Sequence, residues 1–169
     1  IAQDYEHRMK AIAKLKPLQT ADFKELFSIL GNMPLNIRLL DPPLHEFLPT
    51  IDQDKENLAR ILEVSKSVID HRLHVLHEIN PMLGHRGCRL GITYPEIYSM
   101  QVEAILEAMW QVYSEQGLRS NLELMIPLIS NFKELEIIKK LISKTINEIE
   151  KKYSHKFSIK IGTMIELPR

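Results

Sequence analysis

The sequence predicts an α/β fold of parallel strands, a partial (β/α)8 TIM-type barrel with a helical insertion after the strand that carries Arg38. Three observations carry this expectation. Short β-rich apolar stretches alternate with longer segments whose apolar residues recur at helical spacing, the pattern of βαβ units. Charged residues stand at the C-terminal ends of two of those strands, Arg38 and Asp41 at one and Glu166 at the other, the edge where α/β folds place their chemistry. A complete barrel takes ~250 residues, whereas this chain has 169, opens at Ile1 inside a helical pattern and stops at Arg169 directly after a strand. Residues 1–169 are therefore expected to form part of one barrel domain, truncated at both ends.

Taken in order, Tyr5, Met9, Ile12, Ala13 and Leu15 recur at helical spacing until Pro17 closes the run. A second helix is expected from Thr20, a plausible N-cap, with Phe23, Leu26, Phe27 and Leu30 on one face and Gly31 as its stop. Residues 36–40 read as a strand covered on both faces, because they are apolar apart from Asn36 and Arg38. Pro42 and Pro43 cannot join a ladder, so a loop follows. Two helices over 54–62 and 65–78 form the insertion, and Asn80-Pro81 breaks the second. Residues 81–92, with glycines close to Arg86 and Arg89, read as a short strand and loop. A long helix then runs from Thr93 to Gly117, with Pro95 and Glu96 in its first turn. A buried strand over 122–130, a helix capped by Asn131 and a strand over 157–167 complete the chain.

Composition bounds the function classes. The 169 residues can bury one respectable core, and 44% apolar with 26% charged residues is ordinary for a globular protein. Lysine plus arginine balances aspartate plus glutamate at 22 each, so nothing argues for nucleic acid or an anionic membrane. No apolar run approaches the ~18–20 residues of a membrane span. A single cysteine, Cys88, rules out an internal disulfide and suits a reducing compartment; the cytoplasm is the expected location.

Two residues stand out chemically. Arg38 offers a planar fork for phosphate or carboxylate oxygens, or a salt bridge to Asp41; a carboxylate that fixed the guanidinium would let both hold. Glu166, in the otherwise uncharged run GTMIELP, is a reasonable hard-oxygen ligand for Mg²⁺, or the partner of an arginine across the barrel mouth. His71, His74 and His77 are three apart, which spreads the outer pair round a helix and argues against a metal site. Arg86 and Arg89 could extend a phosphate-binding surface or organise neighbouring loops, and Cys88 reads as a small structural residue.

At these residues a resemblance enters. RLLDPPLHEFLP at 38–49 is similar to the signature of the pyruvate, phosphate dikinase family within the phosphoenolpyruvate-utilising enzymes. NPMLGHRGCRLGITYPEIYSMQ at 80–101 and KIGTMIELPR at 160–169 agree with it in the same order. Phosphoenolpyruvate synthase and enzyme I of the sugar phosphotransferase system share the barrel but do not usually carry the DPPLHEF wording. The resemblance implies a barrel that moves a phosphoryl group between a phosphohistidine and pyruvate enolate, within an enzyme interconverting ATP, phosphate and pyruvate with AMP, diphosphate and phosphoenolpyruvate. It implies that Arg38 is catalytic and binds the phosphoryl group, and that Glu166 binds Mg²⁺ and, with it, substrate. The second metal ligand, the proton-donating cysteine and the first barrel strand are expected beyond the ends of this chain. The phosphohistidine belongs to a separate domain of the same protein, and the sequence around His45 and His85 does not resemble it; both read as loop hydrogen-bonding residues.

The isolated segment is accordingly expected to be inactive and, with open sheet edges, prone to self-association; the full-length protein is expected to be a homodimer. Two other readings compete. One is phosphoenolpyruvate synthase or another family member. The second is a non-catalytic scaffold that uses the helices over 54–78 and 95–116 as an interaction surface.

Overall fold

The computed structural model describes residues 5–76 and 84–168, with the backbone only at Leu44 and His45. It is an α/β arrangement around a small parallel sheet. In chain order the elements are α1 (Tyr5–Leu30), β1 (Pro34–Arg38), a 3-10 turn (Leu44–Phe47), α2 (Asp52–Ile61), α3 (Lys66–Leu76), α4 (Gly87–Thr93), α5 (Pro95–Gln116), β2 (Asn121–Ile126), α6 (Phe132–Tyr153) and β3 (Ile159–Thr163). The strands lie in sequence order, β1-β2-β3, and every pairing is parallel. All three C-terminal ends therefore open onto one edge.

The register explains which face is covered. Leu35, Leu122 and Ile159 form one cross-strand row, and Ile37, Leu124 and Ile161 the next. Those rows belong to one core with Val102, Ile105 and Met109 of α5 and Ile138, Ile142 and Ile149 of α6. The opposite face carries a polar row: Glu123 accepts from Asn36 at 3.4 Å and from Lys160 at 3.2 Å. The expectation that the Arg38 strand is covered on both faces is thus corrected. Only Ile37 of β1 is buried, and Arg38 stands on the polar side, opposite Met125.

Helix α5 is the most deeply buried element, with ten buried residues, because its apolar positions face α1 on one side and the sheet and α6 on the other. Three ion pairs fix the register of α1 on α5: Arg8 with Glu96 at 2.6 Å, Lys16 with Glu103 at 2.6 Å, and Lys24 with Glu115 at 2.7 Å. Both numbers in each pair rise together, so the helices run parallel. Each pair is worth little in water; together they select one alignment.

Several boundaries differ from expectation. Pro17 does not end the first helix, and α1 is continuous through it. The proline is exposed, as is Ala13 one turn before it, so the carbonyl that loses its bond faces water. Thr20 is not an N-cap; it is buried inside α1 and its hydroxyl donates to the Lys16 carbonyl at 2.9 Å. Within 81–92, a stretch expected to be strand and loop, residues 87–93 form α4, and 81–83 lie outside the described residues. The strands are shorter than their apolar runs, ending at Arg38, Ile126 and Thr163; Leu39, Leu40, Leu128 and Ile129 beyond the first two pack on the same core from loops, whereas Ile165 beyond β3 is exposed. The helical insertion after Arg38 is present as α2 and α3; Glu78, Asn80 and Pro81, which were expected to end it, lie outside the described residues.

The expected cap of α6 is present as a complete capping box: Asn131 Oδ1 accepts from the Glu134 N–H at 3.1 Å and Glu134 Oε2 from the Asn131 N–H at 3.2 Å. Glu134 Oε2 also accepts from the Ser130 N–H at 2.8 Å. Burial pushes the Glu134 carboxyl up, and the Ser130 and Asn131 donors outweigh it, leaving the group below its ordinary value. A depressed folded-state pKa adds stability that is present above the unfolded value and lost as pH falls through the folded one. Glu134→Ala should therefore cost about 1 kcal/mol near neutral pH. In urea melts followed as a function of pH, the gap from the parent protein should close below the carboxylate range of about 4.

Candidate functional site

The C-terminal edge of the sheet gathers Arg38, Asp41, Arg86 and Glu166. Pairing of β1 continues one step past Arg38, where the Leu39 N–H donates to the Met125 carbonyl at 2.9 Å. Pro42 and Pro43 then turn the chain away, leaving Asp41 almost completely buried, with 2% of its side chain exposed. Both arginines donate to the same oxygen of this carboxylate. Arg38 reaches Asp41 Oδ2 at 2.8 Å, and Arg86 reaches it at 2.6 Å while its Nε lies 3.3 Å from Oδ1. The Arg86 Nε also lies 3.2 Å from the Asp41 carbonyl.

Two guanidinium groups on one carboxylate leave a net charge of about +1, with the donors not used on Asp41 available to an anion. Arg38 keeps 48% of its side chain exposed and Arg86 keeps 17%. Guanidinium groups held in this way are chemically suited to a phosphate or carboxylate. The salt bridge expected between Arg38 and Asp41 is present, and it leaves half of the arginine side chain exposed. For Arg86, the loop-organising role is what the contacts describe, and its sharing of Asp41 with Arg38 brings a second cation to the same place. Sequence reasoning left Arg86 among several candidates because its distance from position 41 along the chain conceals the contact.

Glu166 lies past β3, on the same edge. Its Oε1 accepts the Leu128 N–H at 2.7 Å. Leu128 is buried with φ +59°, a left-handed conformation rare for a residue with a branched side chain. Its carbonyl lies 3.1 Å from Cys88 Sγ. At Gly87, φ is +56° and a Cβ would stand 2.9 Å from Leu128 Cβ and 3.1 Å from Asp41 Oδ1, so only glycine fits where α4 starts. Contacts thus run without a gap from Glu166 through Leu128 and α4 to Arg86, Asp41 and Arg38.

The other sequence candidates fall outside this set. Burial pushes the Cys88 thiol up to about 12, so it stays protonated and packs as a small structural residue. Arg89 donates to the Gly84 carbonyl at 3.0 Å, and the His85 ring lies against Tyr94 at 5.6 Å. His71 and His74 are on α3; His77 and the side chain of His45 lie outside the described residues. Among the described residues no group of three or more His, Cys, Asp or Glu side chains is arranged to hold a metal. A single carboxylate with one oxygen anchored by a main-chain N–H still suits Mg²⁺, which commonly takes one or two protein carboxylates plus substrate and water. Among the described residues, no helix is long and apolar enough to cross a membrane.

The fold is a parallel α/β sheet whose C-terminal edge carries two arginines on a shared buried carboxylate, with a second carboxylate on the same edge. The chain belongs to the family described as PEP-utilising enzyme, PEP-binding domain, whose model matches residues 3–169. Curated proteins named pyruvate, phosphate dikinase align with the whole of it. They include those of Rickettsia prowazekii at 59% identity, Rhizobium meliloti at 47% and Clostridium symbiosum at 40%, each over 169 residues. The chain spans 19% of the length of each. The resemblance seen in the three sequence stretches therefore extends along the chain.

Removing the shared charge should unfasten both arginines. Asp41→Asn should destabilise the fold by about 2–3 kcal/mol, since buried charged hydrogen bonds are lost and Arg86 keeps an uncompensated charge. Urea denaturation measures this; an unchanged midpoint would show that the arginines do not depend on Asp41.

Proposed function

We propose that this chain is the phosphoenolpyruvate- and pyruvate-binding part of a pyruvate, phosphate dikinase, and that its three strands are a segment of a (β/α)8 barrel. The sequential parallel strand order supports the barrel, as does the packing of α5 and α6 on one face of the sheet alone. The observation that carries the functional reading is the pair of guanidinium groups on Asp41 at the C-terminal edge.

In this reading Arg38, joined by Arg86, binds the phosphoryl group of phosphoenolpyruvate. In the direction of phosphoenolpyruvate synthesis, the P–N bond of a phosphohistidine on another domain of the same protein breaks as a P–O bond to the enolate oxygen of pyruvate forms. Transfer of this kind asks the protein for alignment and for cations on the equatorial oxygens, more than for covalent chemistry. Asp41 keeps the guanidinium groups in place, so little ordering is left for the ligand to impose. Glu166, oriented by the Leu128 N–H, would help to hold Mg²⁺; when bound, that ion supplies positive charge to substrate oxygens. The full protein, by family resemblance, also binds ATP and forms a homodimer, and the unpaired Cys88 of this chain suits the cytoplasm.

Calorimetry of oxalate or phosphoenolpyruvate binding to the full-length protein with Mg²⁺ tests the site. Arg38→Ala and Glu166→Ala should each weaken binding by about tenfold or more, the scale of one charged hydrogen bond. Affinity that survives both substitutions, with turnover intact, would favour a non-catalytic scaffold.

A further inference from the structure

Tyr98 is fully buried on α5 and touches both halves of the arginine site without belonging to it. Its hydroxyl donates to the Leu40 carbonyl at 3.0 Å. Three residues along the same face of α5, Gln101 Oε1 accepts the Leu40 N–H at 2.8 Å. Both main-chain groups of the residue before Asp41 are thus gripped by one helix. The ring of Tyr98 meets the other half: a methyl at Gly91 would lie 2.6 Å from Cδ2 and 2.7 Å from Cε2, so α4 rests on the ring at a distance only glycine permits. Arg86 is the residue on which α4 begins. Packing alone asks for the ring, and the hydroxyl adds a link to the loop of Arg38 and Asp41.

We propose that Tyr98 is a positioning residue for the anion site: through Leu40 on one side and Gly91 of α4 on the other, it sets where the Arg38 and Arg86 guanidinium groups stand relative to each other. The inference rests on the reading of this edge as the phosphoenolpyruvate site. A loosened loop must be ordered by the ligand on binding, which raises KM; once the ligand bridges the arginines the geometry is restored and kcat is retained.

The test uses the full-length enzyme and Tyr98→Phe, which keeps the ring and removes the hydroxyl. The KM for phosphoenolpyruvate should rise about five- to tenfold, the effect of one hydrogen bond. The kcat should stay within about twofold, as expected for a change confined to ground-state ordering, and the KM for the nucleotide should not move. Gln101→Met should act in the same direction. Equal rises in KM for both substrates, or a fall in kcat at unchanged KM, would mark general structural damage and overturn the positioning role. An unchanged KM in Tyr98→Phe while Arg38→Ala loses phosphoenolpyruvate affinity would also overturn it, leaving the identity of the site intact. Unchanged affinity in both variants would overturn the identity of the site and the positioning role together.

Discussion

Everything at the C-terminal edge of the sheet depends on one buried carboxylate shared by two guanidinium groups. Two arginines that close together repel, and a carboxylate as enclosed as Asp41 is costly to desolvate. The trio offsets both costs, since the carboxylate screens the cations and the cations replace the water it has lost. What remains is one excess positive charge whose position is decided before any ligand arrives. Arg38 stays half in water, which limits the desolvation cost and keeps its fork accessible.

The scaffold converts this local balance into a rigid one. Parallel strands in sequence order bring three loops to one edge, and α5 packs against α1, α4 and α6 while its side chains reach the loop after β1. The ion pairs along α1 and α5 add little free energy but fix the sliding coordinate of two long helices. Chemistry built on strand ends tolerates little sliding, because a shift of an ångström would carry a guanidinium away from its partner.

The sequence made the periodic parts of the fold legible. The alternation of strand and helix, the Asn131 cap, the helix stops at Gly31 and Gly117 and the placing of Arg38 at a strand end all rest on local patterns, and all are present; Glu166 lies in the loop that follows β3. What misled was locally strong punctuation overridden by tertiary packing. Pro17 sits on the water side of a helix anchored by its neighbours, and Gly87 and Gly91 make close contacts within α4 rather than marking a strand and loop. The site was half legible for a related reason. Arg38 and Asp41 are three residues apart, whereas Arg86 joins them from 45 residues away, and no spacing rule announces such a contact.

Leu128 carries a consequence for how freely this region can vary. The N–H that orients Glu166 belongs to the main chain, so every amino acid at position 128 except proline would supply the same donor. Variation there acts through backbone preference and packing against Gly87, which are graded quantities, and not through the presence or absence of a functional group. A carboxylate anchored in this way is insulated from the commonest kind of genetic accident. Many codon changes would delete an orienting side chain, but only a change to proline would delete this N–H.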